Sequence, residues 1–173
     1  MSANGKLSAG STLARLLAGA QSQTEKYLKS CPEGRRYFNL GDNKATPIWL
    51  AGHMANTAEF IGNVIGLGSP SGAIQDTWRR KFTPDQFGGD KISTNAADYP
   101  AWEEIGNAYK KVMSHLAQEV AGLSDEQLLA APKGKVPPPL AGMLSTVQDC
   151  ITLNIVHDSH HRGQLALLAN APD

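Results

Sequence analysis

The stretch from Ser145 to Ala169, STVQDCITLNIVHDSHHRGQLALLA, decides how the rest of the chain is read. Val147, Cys150, Asn154, His157, His161, Gln164 and Leu168 recur at alternating steps of three and four, the spacing of a helix seam inside a bundle. Ser145 followed by Gln148 three positions later reads as a capping box that opens this helix, and the pattern runs to about Ala169. Asn154, His157, His161 and Gln164 are four consecutive polar positions on that seam. Buried polar side chains without partners cost about 1 to 3 kcal/mol each, so the four need a common explanation. At 100° per residue, His157 and His161 project within about 40° of each other one turn apart, so both imidazoles reach a single ion. Spacing alone leaves two readings open: a metal site, or a hydrogen-bonded polar layer near an exposed helix end.

Working outward, three more long stretches carry the helical period and none alternates with period two, which predicts an all-α protein. The first helix is expected from near Ser11 to Pro32–Gly34, with Leu13, Leu16, Leu17, Ala20, Tyr27, Leu28 and Cys31 on its core side. The second begins with Thr46 as N-cap and Pro47 in the first turn, where a missing N–H costs nothing, and stops near Gly66 or Gly68. The third opens at Pro100, carries Trp102, Ile105, Tyr109, Val112, Leu116 and Val120 on one side, and ends at Gly122. Ser124 to Glu126 suggest a short helical turn, and Pro132 and Pro137 to Pro139 then interrupt regular structure. The roughly thirty residues between the second and third helices are long for a connection in a compact bundle. They predict a crossover that lets those two helices run the same way, with Trp78 and Phe82 pinning it to the bundle. The expected architecture is a four-helix bundle forming one domain over residues 1–173, with its long crossover between helices two and three.

A third imidazole comes from the second helix. Trp49, His53, Thr57, Phe60 and Val64 form one stripe beside Met54, Ala58, Ile61 and Ile65, while Gly52, Asn56, Glu59 and Asn63 form the opposite, polar face. His53 therefore points inward, either as a ligand or as a hydrogen-bonded core histidine. His160 projects about 60° from His157 on the side away from His161, which suits a supporting or surface role better than ligation. Asn154 and Gln164 are placed to orient the ligands or a bound group. His115, beside Lys111 and Glu119, reads as part of a solvated face. Cys150 lies about 10.5 Å along the axis from His157, too far to share an ion, and reads as a core thiol.

Composition narrows the function classes. Sixteen basic residues balance sixteen acidic ones, so no net field draws the chain to nucleic acid or an anionic membrane. No run approaches the roughly 18 to 20 apolar residues of a membrane-spanning helix. Leu13 to Ala20 faintly resembles a signal peptide, but Arg15 interrupts it, so it reads as mature protein. Cys31 and Cys150 make no disulfide framework, and a reducing, cytoplasmic setting is expected. His157-Asp158-Ser159-His160-His161 differs from the zinc-protease pattern by one methylene at the acidic position. The protease needs the longer Glu to reach the attacking water, and its extended form wants Gly and His where Gln164 and Leu167 stand.

The run His157-Asp158-Ser159-His160-His161-Arg162-Gly163-Gln164-Leu165, joined to Trp49-Leu50-Ala51-Gly52-His53, resembles the DinB/YfiT-like superfamily of metal-dependent bundle enzymes. The resemblance implies a divalent ion, nickel or zinc, held by His53, His157 and His161, and a homodimer. It also implies a small-molecule substrate and a hydrolase or a transferase using a low-molecular-weight thiol as co-substrate. In the mycothiol-dependent isomerase branch a glutamate occupies the place of His157, which argues against that branch. A non-catalytic metal-binding bundle acting in stress response or partner binding is the alternative. Nothing in it implies DNA contact.

Overall fold

Residues 7–41 and 44–171 are described by the computed structural model; residues 1–6, 42–43 and 172–173, including both ends of the expected 1–173 domain, lie outside the described set. Helix α1 spans Ala9–Ser30 and starts two residues before the expected Ser11, because the Ser8 hydroxyl accepts the Ser11 N–H at 3.1 Å and caps it. Its seam is Ala14, Leu17, Gln21, Thr24 and Leu28. Leu16, expected on the core side, is instead 52% exposed, because it lies 100° round from Leu17.

Helix α2, Pro47–Val64, opens as expected: Thr46 Oγ1 accepts the Trp49 N–H at 3.3 Å and Pro47 occupies the first turn. Beyond it the chain leaves through Gly66 and Gly68, whose φ of 80° and 73° only glycine adopts readily. The expected polar face of α2 is covered at Gly52 and Glu59, while Asn56 is half-buried and Asn63 exposed. Gly52 is buried under the Phe82 ring, so close that a Cβ would overlap it. Glu59 is 4% exposed, accepting from Ser69 Oγ at 3.0 Å and paired with Arg79. The crossover supplies this cover. It contains the short helix α3, Asp76–Arg79, and Trp78 and Phe82 both enter the core.

Helix α4 is Trp102–Ala121, with the Glu104 carboxylate accepting the Ala101 N–H at 3.2 Å. Helix α5, Asp125–Leu129, is closed by a reciprocal cap between Ser124 and Gln127. Helix α6 is Val147–Ala169. Its capping box is Thr146 with Asp149, not Ser145 with Gln148: Thr146 Oγ1 accepts the Asp149 N–H at 3.1 Å and Asp149 Oδ2 accepts the Thr146 N–H at 2.9 Å. Both registers offer a hydroxyl and an acceptor three residues on. The observed one starts the helix at buried Val147, whose N–H donates to the Ala130 carbonyl at 2.9 Å.

The protein is all-α. Among the described residues no strand forms, and four long helices make the bundle, joined by α3, α5 and short 3-10 turns. Helices α1 and α2 each pack on both α4 and α6, so α1 and α2 face each other across the bundle. Leu17, Leu50, Met54, Ile61, Tyr109, Leu116 and Ile151 fill the centre. Arg36 accepts the Ile48 N–H through its carbonyl at 3.0 Å and lays its guanidinium over Trp102, bringing the starts of α2 and α4 together. Gly62 approaches Leu116 near the other ends of the same helices. No helix among the described residues is long and apolar enough to cross a membrane.

Candidate metal centre

Three imidazoles meet where α2 faces α6. His53 is 7% exposed and stacks on Trp49, one turn earlier, with ring centroids 4.6 Å apart and planes 15° from parallel. Its Nδ1 lies 2.9 Å from the Phe82 carbonyl oxygen. A carbonyl only accepts, so Nδ1 carries the hydrogen and Nε2 presents a bare lone pair. That Nε2 lies 3.0 Å from His157 Nε2, which in turn lies 3.1 Å from His161 Nε2. His161 Nδ1 is 2.6 Å from Gln164 Oε1. With the amide oxygen on that side, His161 too holds its hydrogen on Nδ1 and leaves Nε2 bare.

The donor set has the chemistry of a cation site. Two fixed lone pairs and the His157 Nε2 point at one another, and the single hydrogen that His157 can supply serves only one of its neighbours. A cation relieves all three at once. The candidate ligand atoms lie within 4.8 Å of one another. A tetrahedral ion with nitrogen ligands at 2.0 to 2.1 Å separates those atoms by about 3.3 Å, close to the 3.0 Å between His53 and His157 and the 3.1 Å between His157 and His161. Burial also keeps the imidazoles neutral, as ligation requires. It pushes His53 down to about 4, with the Phe82 bond opposing and the His161 charge assisting. It pushes His157 down to about 3, helped by the charges of His161, His53 and His160. His161 is lowered by burial, against the bond from Gln164.

The other residues singled out by sequence fall at varying distance from this point. Gln164 is exposed and touches the site only through His161. His160 is exposed, its ring centroid 5.1 Å from that of His161. Asn154 is 2% exposed and donates to Met113 Sδ at 3.5 Å, so it ties α6 to α4 rather than bonding an imidazole. His115 is half-buried against the Leu67 carbonyl at 3.4 Å, not on an open face. Cys150 is fully buried, as a core thiol.

Asp158 is the residue that sequence reasoning missed. The centre of the inward stripe of α6 passes through Ile151, Asn154, Asp158 and Leu165, leaving His157 and His161 on its flank beside α2. Asp158 is 2% exposed and accepts from Thr24 Oγ1 at 2.8 Å and from the Tyr109 hydroxyl at 2.6 Å. Arg162 reaches the same carboxylate at 3.7 Å and the Ala20 carbonyl at 3.5 Å. Burial raises the Asp158 carboxyl against the lowering by these partners, and burial beside Asp158 raises Tyr109. Steps of three, four and seven through Ile151, Asn154, Asp158 and Leu165 were the available signal.

A cavity of about 650 Å³ opens beside the imidazoles, lined by all three together with Trp49, Phe60, Leu140 and Leu153. The crossover contributes Arg79, Pro84, Gln86 and Phe87 to its wall.

No curated protein matches this sequence. The family model described as the DinB superfamily matches residues 16–165, which include α2, the crossover and all three converging histidines. Bundle, imidazoles and matched span agree: the chain belongs to the DinB superfamily.

Proposed function

We propose that the protein is a metal-dependent enzyme acting on a small molecule, either hydrolysing it or transferring a low-molecular-weight thiol onto it. The ion is nickel or zinc, held by His53, His157 and His161. The observation that carries this reading is the convergence of three Nε2 atoms on the wall of a cavity large enough for a substrate. Bound there, a divalent ion supplies Lewis acidity and lowers the pKa of a water or thiol.

The chain's own residues do the rest. The Phe82 carbonyl and Gln164 fix the tautomers of His53 and His161, and Trp49 fixes the plane of the His53 ring. Phe60, Leu140 and Leu153 exclude water from the inner wall. Among the described residues no cysteine, serine or carboxylate lines the cavity; its hydroxyls are those of Thr57 and Thr83, and the Thr83 hydroxyl donates to the Arg79 carbonyl at 2.6 Å. In this reading the nucleophile comes from solution, as a water or a diffusible thiol. A cytoplasmic homodimer belongs to the same reading, and light scattering that finds only single chains at micromolar concentration overturns that part of it.

The test is elemental analysis of protein purified without tag or chelator, followed by turnover of electrophilic substrates with and without metal and each thiol. Wild type should hold one divalent ion per chain. Alanine at His53, His157 or His161 should abolish retention, at His160 weaken it modestly, and at His115 leave it unchanged. Failure of wild type to take up any divalent metal overturns the reading. Metal uptake without turnover of any substrate favours a non-catalytic binding bundle.

A further inference from the structure

We propose that the cavity binds a small apolar molecule carrying one negative charge, with the charged head at the three imidazoles and the apolar body against Phe60, Phe87, Leu140 and Leu153. This rests on the metal reading above. The argument begins with charge. The three imidazoles are neutral and no acidic side chain among the described residues lines the cavity, so a divalent ion held there keeps both positive charges uncompensated by those residues. A ligand that brings a negative charge gains most in such low-dielectric surroundings, and a cation is repelled.

The rest of the wall limits that charge to one. Arg79 is the single arginine or lysine among the described residues that line the cavity, and its guanidinium is already engaged by buried Glu59 and by Asp76. A ligand with several negative groups would find no second free cation, as a nucleotide or a polycarboxylate requires.

The body of the ligand is set by the walls. Phe60, Leu140 and Leu153 are partly buried hydrophobics against the core, and all three present apolar surface to the cavity. Phe87, on the crossover, leaves 46% of its surface exposed while lining the same space. An apolar group seated there covers that ring, so its burial contributes to binding at about 25 cal/mol per Å² of apolar surface. A volume near 650 Å³ accommodates a fused-ring or medium-chain body.

Calorimetric titration of the zinc-loaded full chain with four probes tests this: 2-naphthoate, 2-naphthalenemethanol, 2-naphthylmethylammonium and acetate. Zinc content is first confirmed at one per chain by elemental analysis. Naphthoate should bind at least tenfold more tightly than the neutral alcohol, the cation or acetate. Phe87→Ser, at a half-exposed position that leaves the core intact, should weaken naphthoate several-fold at unchanged zinc content and leave acetate as it was. In zinc-loaded protein, equal affinity for the three naphthalenes, or naphthoate no tighter than acetate, overturns the inference and leaves the metal reading standing. Failure to take up any divalent ion overturns both and is seen before any probe is added; where nickel rather than zinc is taken up, the same titrations are run on the nickel-loaded chain.

Discussion

The ring nitrogen of His53 and the carbonyl oxygen of Phe82, 29 residues apart in sequence, are joined by a 2.9 Å hydrogen bond. The crossover thus does more than connect two helices: its backbone chooses which nitrogen of His53 faces α6. Gly52, the neighbour of His53, leaves the space that the Phe82 ring occupies against α2.

Gly52→Val should therefore act at two levels. Overpacking against Phe82 should cost about 1 to 3 kcal/mol, a loss of several degrees in Tm. By displacing the Phe82 carbonyl it should also weaken metal retention, although none of the three histidines has changed. Thermal unfolding and metal content measured on the same sample separate the two effects; a variant with wild-type Tm and wild-type metal content contradicts the role given to the crossover.

Tyr109→Phe removes one of the donors to the buried Asp158 carboxylate. The cost should be about 1 to 3 kcal/mol, the penalty for a buried acceptor left short of a partner. Because Tyr109 is not one of the three histidines, metal content should stay at the wild-type value. Denaturant unfolding with elemental analysis checks both parts.

How far these features could be read in advance depends on what surrounds each residue. The His157 and His161 pair and the inward His53 were legible because their position follows from helical period alone, and the structure brings them together. The same rule failed at Glu59 and Gly52, which look solvent-facing on α2 until the crossover folds over them, since periodicity within one helix is silent about an irregular segment elsewhere. Asp158 was obscured because its partners come from Thr24 and Tyr109 on two other helices. The cap of α6 missed by one residue because Ser145 and Thr146 both precede an acceptor at the right spacing, and burial of Val147 decided between them.

Acid should destabilise the metal-free protein through its histidines. His53 and His157 titrate near 4 and 3 in the fold, below the value of about 6.5 in an unfolded chain. Between those limits the unfolded state binds more protons, so stability is fully present above pH 6.5 and falls as the pH drops from there toward 4. For His53 the loss should be roughly 1 kcal/mol by pH 5.5. His53→Phe should flatten the dependence of Tm on pH between 7 and 5; an unchanged slope contradicts the assignment.

Both thiols should be slow to react. Burial raises Cys31 and Cys150 above the ordinary thiol range, with Arg36 partly opposing at Cys31. In native protein at pH 8 a disulfide reagent should modify neither within minutes, and after denaturation both at once. Rapid native labelling of Cys150 shows that the core opens near the start of α6.

His53 and His157 stand 104 residues apart along the chain. An ion gripped by both would act as a removable cross-link between an early helix and the last one. Separating those helices would then require breaking coordination first, so metal should slow unfolding as well as shift its equilibrium. Chelation would convert a long-lived fold into a short-lived one, linking the protein's persistence to the supply of its ion.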